Sequence, residues 1–426
     1  MYTHHMKNES FWTAGVPLPS YSPLEKNTVA DVAIIGAGIT GLMSAYLIAQ
    51  SGRRVVILEK GTVASGATHV TTAFLTQIID TDVIDLLSLY GRKGTKSILN
   101  SHAEAIDLIE EIVKTEKIDC DFKRCSNYVY AADDKELQDL MPEYEAMQRS
   151  GLRVSLVRKP IPHLKSVGYA EVMDQAKFHP MKFIAGLLPA LDKLGVSIFE
   201  ETEAITLDEE HPNHLVLKTV QGLEVSANWV ISAAYQPFGQ PLGIFFKKGM
   251  YVSYVLEAEI KKGALEEGIY EDMDNPYHYF RLEPGEKSDT VIFGGEDHRE
   301  EVPIDPEKNF TALRKHLDEA LIETPTTIRR RWSGPILEPS DGLPLIGPYK
   351  NPNVLYAAGF SGNGMTYAAI AATTFKDLVE GKKPQSYDLY RTDRALKLKS
   401  LYRKAIDYGE EFIRGAGRNI WRRKDK

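Results

Sequence analysis

Cysteine is nearly absent, with Cys120 and Cys125 the two in 426 residues. That is too few for a disulfide framework or an iron-sulfur cluster, and it suits a reducing cytoplasm. No metal site is expected from so thin a ligand supply. Long apolar runs are missing too: nowhere do about 18 apolar residues follow one another, so no membrane-spanning helix is expected. Between Met1 and Ala30 no basic start leads into an apolar core, and the segment does not read as a secretory signal. Positive charge is in deficit. Against 59 Asp and Glu stand 51 Lys and Arg, a net charge of -8, which excludes a general nucleic-acid binder.

What is present is an ordinary globular composition, 43% hydrophobic and 26% charged, in a chain long enough for two domains. The run 31–35 (DVAII) stops at glycine, 42–51 has helical spacing, and 54–60 (RVVILEK) is a second apolar run ending in acid and base. Strand, tight turn, helix and strand follow in about 30 residues. Helical stripes are expected over 82–117, a Pro/Gly-marked irregular region over 142–168, and a helix over 181–195 that His179 and Pro180 introduce. Strands are expected at 214–220 and 223–234. Those at 249–260, 276–282 and 289–295 read as a second, mainly antiparallel sheet, and 354–360 leads through a glycine-rich turn into a helix over 368–381.

Gly36-Ala37-Gly38-Ile39-Thr40-Gly41 matches G-x-G-x-x-G where the mechanism needs it, after a strand and opening a helix. The first glycine permits the turn, the second admits a pyrophosphate, the third lets helix and strand pack, and the helix start at Ile39 and Thr40 faces the negative charge. Glu59, 18 residues beyond Gly41 and followed by Lys60, is placed to accept ribose hydroxyls. The motif by itself does not separate FAD from NAD.

Three further segments resemble the D-amino-acid-oxidase-like superfamily of flavoenzymes, which includes glycine, sarcosine and gamma-glutamylputrescine oxidases. They are Ala64 to Ala73, Trp229 to Ala234, and Asp341 to Gly347 followed by Gly359 to Thr366. The openings Ser10-Phe11-Trp12 and Tyr279-Phe280-Arg281-Leu282 resemble the gamma-glutamylputrescine-oxidase-like branch, some of whose members carry a Rieske domain. The paired Cys and His ligands of such a domain are missing from this sequence. The resemblance implies FAD, with Ser65, Gly66, Thr68, His69, Thr71 and Thr72 against pyrophosphate and flavin, and Ala233 beneath the cofactor. Gly359, Gly362, Asn363, Gly364, Met365 and Thr366 fall at the flavin's pyrimidine end. Some relatives attach FAD through a histidine that aligns with Val70, and His69 stands one position earlier, so non-covalent FAD is expected.

The fold class expected is α/β, a Rossmann-like FAD-binding domain (1–80, 165–235 and 330–386) interleaved with an antiparallel-sheet substrate domain (81–164 and 236–329). On the strand at 276–282, Tyr279 and Arg281 share a side; with Tyr251 and with Thr366, which stands where sarcosine-type relatives have lysine, they are the candidates for substrate and catalysis. The resemblance implies oxidation of a C-N bond in an amine or amino-acid-like substrate, by hydride transfer to flavin N5, with electrons passed to oxygen or another acceptor. Those relatives place an arginine near 70–72 for the substrate carboxylate, and none is found here. Three alternatives stay open: a hydroxy-acid or polyol oxidase, a peripheral membrane dehydrogenase feeding quinone, and a flavin-binding protein without turnover. The membrane reading draws on the tail, 387–426, where 12 Lys and Arg face 6 Asp and Glu among spaced apolar residues. Oligomeric state is not legible.

Overall fold

The computed structural model describes residues 9–211, 214–239, 248–274, 277–302 and 304–395. The tail from 396 onward, and with it the expected lipid contact, lies outside the described residues.

The first apolar run becomes the strand Val32–Ile35, buried at every position. It lies inside a six-stranded sheet whose order is Leu345–Tyr349, Asn351–Ala358, Trp229–Ser232, Val32–Ile35, Val55–Leu58 and Ser197–Phe199. All neighbours are parallel except the first pair. Both faces are covered, which is why these strands read as unbroken apolar runs rather than as alternation. Val32 and Ile34 pack among the helices Ile39–Ala49, Pro180–Lys193 and Gly364–Val379. Ala33 and Ile35 pack against a four-stranded sheet (Thr28–Val29, Glu224–Ala227, His214–Thr219 and Ala204–His211).

A nine-stranded sheet makes the second layer. Its path is Thr327–Pro339, Lys248–Lys261, Ser288–Arg299, Tyr279–Glu283, Ile269–Glu271, Lys123–Ala131, Gly168–Lys177 and Phe74–Leu75, with Val154–Val157 paired beside Gly168–Lys177. The helix Pro306–Ala320 covers one of its faces through Phe310, Leu313 and Leu317.

Three expectations need correction. Gly168–Lys177 and most of Thr327–Pro339 belong to the nine-stranded sheet, so the boundaries drawn at 165 and 330 cut strands away from their partners. The segment expected to be irregular begins inside a helix, Asp134–Ser150, which runs through Pro142. Asp133 caps that helix by accepting the N–H groups of Lys135 and Glu136, each at 2.9 Å. Gln138, whose carbonyl loses the N–H that a residue other than proline would offer, is on the exposed side of the helix. The long helical stretch Val83–Thr115 breaks at Gly91, whose φ of 67° no helix accommodates.

Candidate active site

A cavity of about 840 Å³ opens where the parallel strands end and the nine-stranded sheet begins, a position typical of ligands in α/β sheets. Ile35, Leu58 and Ala358, the carboxyl-terminal residues of three parallel strands, line it.

At one end stands the glycine loop. Gly36 has φ +104°, and a Cβ there would lie 3.0 Å from the Ala233 carbonyl oxygen. A Cβ on Gly41 would lie 2.0 Å from the Gly36 oxygen, so this glycine serves the close helix–loop packing and does not line the cavity, unlike Gly36, Gly38, Ile39 and Thr40. Glu59 accepts the N–H groups of Ala37 and Gly61, both at 2.8 Å, which fixes its carboxylate beside the loop. Thr68 accepts the Ile39 N–H at 3.1 Å. Lys60, Ser65, Gly66, Thr68, His69, Thr71 and Thr72 line the same space, as does Ala233. His69 meets the Ala64 carbonyl through Nδ1 at 3.1 Å.

The segment 70–73 is held by its carbonyls. Trp332 Nε1 donates to Val70 at 3.1 Å and Trp12 Nε1 to Thr71 at 2.6 Å. Arg281 Nη1 donates to Thr72 at 3.1 Å and to Ala73 at 2.6 Å. Trp12, Trp332 and Arg281 are each 0% exposed, so four consecutive carbonyls are fastened from within and the threonine side chains are left to the cavity. Sequence reasoning noticed Trp12 as a family mark; its physical task emerges only here.

The opposite end is the Gly359–Gly364 loop. Gly359, Gly362, Gly364 and Met365 line the cavity, whereas Asn363 and Thr366 do not. Asn363 accepts the Asp80 N–H at 3.2 Å, and Thr366, fully buried, donates its hydroxyl to the Asn363 carbonyl at 3.1 Å. Neither Gly38 nor Asn363 caps its helix through a side chain. Two helix starts whose own N-cap residues supply no side-chain cap therefore meet one cavity, with the Ile39 N–H taken by Thr68, a donor arrangement that fits a diphosphate at one end and negative charge on a reduced flavin at the other.

Of the four substrate candidates only Tyr279 lines the cavity, its hydroxyl 2.9 Å from Ser253 Oγ. Arg281 is spent on the carbonyls just named and on Glu283, whose Oε1 accepts its Nε at 2.6 Å. Tyr251 turns away, accepting from Arg299 Nη2 at 3.2 Å beneath a guanidinium 5.3 Å from its ring. Thr366 is enclosed in its helix, as described. Alternation placed Tyr279 and Arg281 on one side correctly, but it could not show that this side is sealed at Arg281.

Asp80 escaped the sequence reading. It is exposed, and its Oδ2 accepts the Gly362 N–H at 2.7 Å. Surrounding protein raises its pKa to about 6 by desolvation, with Glu338 adding like charge. Desolvation also raises Asp297 to about 7. Lys60, beside Glu59, is the one lysine or arginine among the described residues that line the cavity.

A parallel sheet with a glycine-rich turn, an acidic strand end and a cavity capped by a second sheet defines a dinucleotide-dependent oxidoreductase. The chain belongs to the FAD-dependent oxidoreductase (DAO) family, whose model matches residues 31–378. A putative Rieske 2Fe-2S iron-sulfur protein, YhfW of Bacillus subtilis, is 31% identical over 95% of this chain and 79% of its own length. Gamma-glutamylputrescine oxidoreductase of Escherichia coli is 24% identical over 85% of this chain and 86% of its own length. Among solved structures, glycine oxidase from Geobacillus kaustophilus superposes with a TM-score of 0.73 at 20% identity, covering 87% of this chain and all of its own. The chain is thus an FAD-dependent oxidoreductase of that family.

Proposed function

We propose that this enzyme oxidises a C-N bond in an amine that carries positive charge, with FAD held non-covalently along the cavity. Glu59 and the Gly36–Gly41 loop would hold its ribose and diphosphate, and Thr71, Thr72 and the Gly359–Gly364 loop its flavin. FAD bound there supplies the two-electron acceptor. The observation that carries the reading is Asp80, a carboxylate fixed on the loop at the flavin end where no cationic side chain lines the wall. It attracts an ammonium group and, with a pKa near 6, takes its proton. The nitrogen lone pair is then free while the C-H bond gives up its hydride. A hydroxy acid or a simple amino acid would bring its carboxylate against Asp80 with no arginine to receive it, so both are poorer substrates.

The thiols take no part. Burial pushes Cys120 up to about 12 and Cys125 to about 11, which leaves them protonated and inert.

Acid precipitation of the purified yellow protein, followed by anaerobic addition of amines and amino acids to intact protein, tests this reading. Colour released to the supernatant and bleaching by an alkylamine or diamine are expected. Colour retained in the pellet makes His69 the suspect for a covalent bond, and bleaching by glycine alone overturns the substrate class.

A further inference from the structure

Tyr279 faces the cavity, and by strand alternation its predecessor faces the other side of the nine-stranded sheet, toward the helix Pro306–Ala320. That predecessor, His278, is 1% exposed. Asp272 takes its Nδ1 at 3.0 Å and also accepts its backbone N–H at 2.8 Å, which sets the ring's direction. Nε2 then points inward with no hydrogen-bond partner, its nearest acid oxygen being Glu296 Oε1 at 3.6 Å. His316, from the helix, brings its own Nε2 to 3.3 Å from the same oxygen. Asp274 completes the group: one ligand atom from each of Asp274, His278 and His316 lies within 4.8 Å of the other two.

The backbone is shaped to this cluster. Gly295 seats the imidazole so closely that a Cβ would fall 2.6 Å from His278 Cδ2. The next residue, Glu296, has φ 55° at an irregularity in the pairing of Ser288–Arg299 with Lys248–Lys261, the kind of bulge that re-aims a side chain.

We propose that Asp274, His278 and His316, with Glu296 beside them, bind a divalent transition-metal ion of the zinc type. Two imidazoles with one or two carboxylates are a donor set for such ions, and a carboxylate behind the buried histidine is the usual means of orienting one. The two rings now lie with centroids 4.0 Å apart, and His316, 35% exposed in its side chain, turns about its own torsions to present its nitrogen. A bound ion would tie Asp274 and His278, the residue before the cavity-lining Tyr279, to the helix Pro306–Ala320.

The test uses FAD-loaded full-length protein carrying H4A and H5A, so that the terminal histidine pair does not contribute. After chelator treatment, Zn²⁺ binding is measured by equilibrium dialysis with elemental analysis, and the flavin spectrum reports folding. One Zn²⁺ per chain is expected, with D272N weakening affinity about 10- to 100-fold. H316A, at the helix surface, should weaken it at least as much while the flavin spectrum stays unchanged. Less than one Zn²⁺ in ten chains would mean that His278 instead holds a proton between Asp272 and Glu296, and overturns the proposal. So does an affinity that H316A leaves unaltered.

Discussion

Asp80 and Gly362 are joined by a 2.7 Å hydrogen bond from the glycine N–H to Oδ2, and Asn363 returns a bond by accepting the Asp80 N–H at 3.2 Å. Two segments nearly 300 residues apart in sequence are thereby locked into one wall. Replacing Asp80 by Asn keeps an acceptor for Gly362 and removes the charge. We expect D80N to retain FAD and to lose about 10²-fold or more in kcat/KM for cationic amines, measured by steady-state kinetics and anaerobic flavin reduction. Unchanged kcat/KM would remove Asp80 from the reaction.

The raised carboxyl groups also predict pH dependence. Asp80, at about 6, gains its charge as pH rises through 6, so binding of a cationic amine should strengthen between pH 5 and 7, and Asp297 and Glu271, at about 7, ionise somewhat later. Stability runs the other way. A carboxyl group whose folded pKa exceeds its unfolded value favours the fold at low pH, and that contribution is lost as pH climbs through the folded pKa. Tm read from flavin fluorescence should therefore fall less steeply between pH 5 and 8 in D297N than in the parent.

Two glycines should separate folding from cofactor binding. The Cβ of G41A would sit 2.0 Å from a backbone oxygen, so the loop must open, and a colourless, destabilised protein is expected. At Gly364 no protein atom lies within 4 Å of the added Cβ, which projects into open space beside the cavity. G364A should leave the Tm of the FAD-free protein no lower, since alanine favours a helix by up to about 1 kcal/mol, yet weaken FAD binding in a fluorescence titration. Equal FAD affinity in G364A and parent would place the flavin elsewhere.

Arg281 acts on structure. R281M takes one of two cationic partners from Glu283, leaving Lys177, and strips the Thr72 and Ala73 carbonyls of their donor. Breaking a buried pair in this way costs about 3–5 kcal/mol, visible as a large shift in denaturant midpoint. A variant of normal stability with a raised KM would restore Arg281 to the substrate wall.

Asp341 belongs to the same class. Arg394 grips it with both arms at 2.8 and 2.7 Å, and both residues are buried. D341N should cost about 3–5 kcal/mol in denaturant unfolding while the spectrum of protein that remains folded is unaltered. Loss of FAD without loss of stability would contradict this.

Local chemistry was legible in the sequence. The glycine loop, the apolar strand before it and the acid at the end of the next strand are short-range patterns dictated by backbone sterics and by burial on both faces of a parallel sheet, and they declare themselves within about 30 residues. Of the nine-stranded sheet the runs at 249–260, 276–282 and 289–295 were readable, whereas Lys123–Ala131, Gly168–Lys177 and Thr327–Pro339 were not. What alternation could not say is what stands opposite each side chain. Tyr279 and Arg281 share a face, yet one meets an open cavity and the other meets carbonyls brought from 72 and 73, because the pairing of distant segments decides which part of a face is sealed. Asp80 carries no motif at all. Its place behind the glycine loop that lines the cavity, its neighbours at 277, 297 and 338, and its bond to Gly362 exist only once the chain has brought together pieces with no sequence relation. Burial and like charge then set a protonation state that no local pattern encodes.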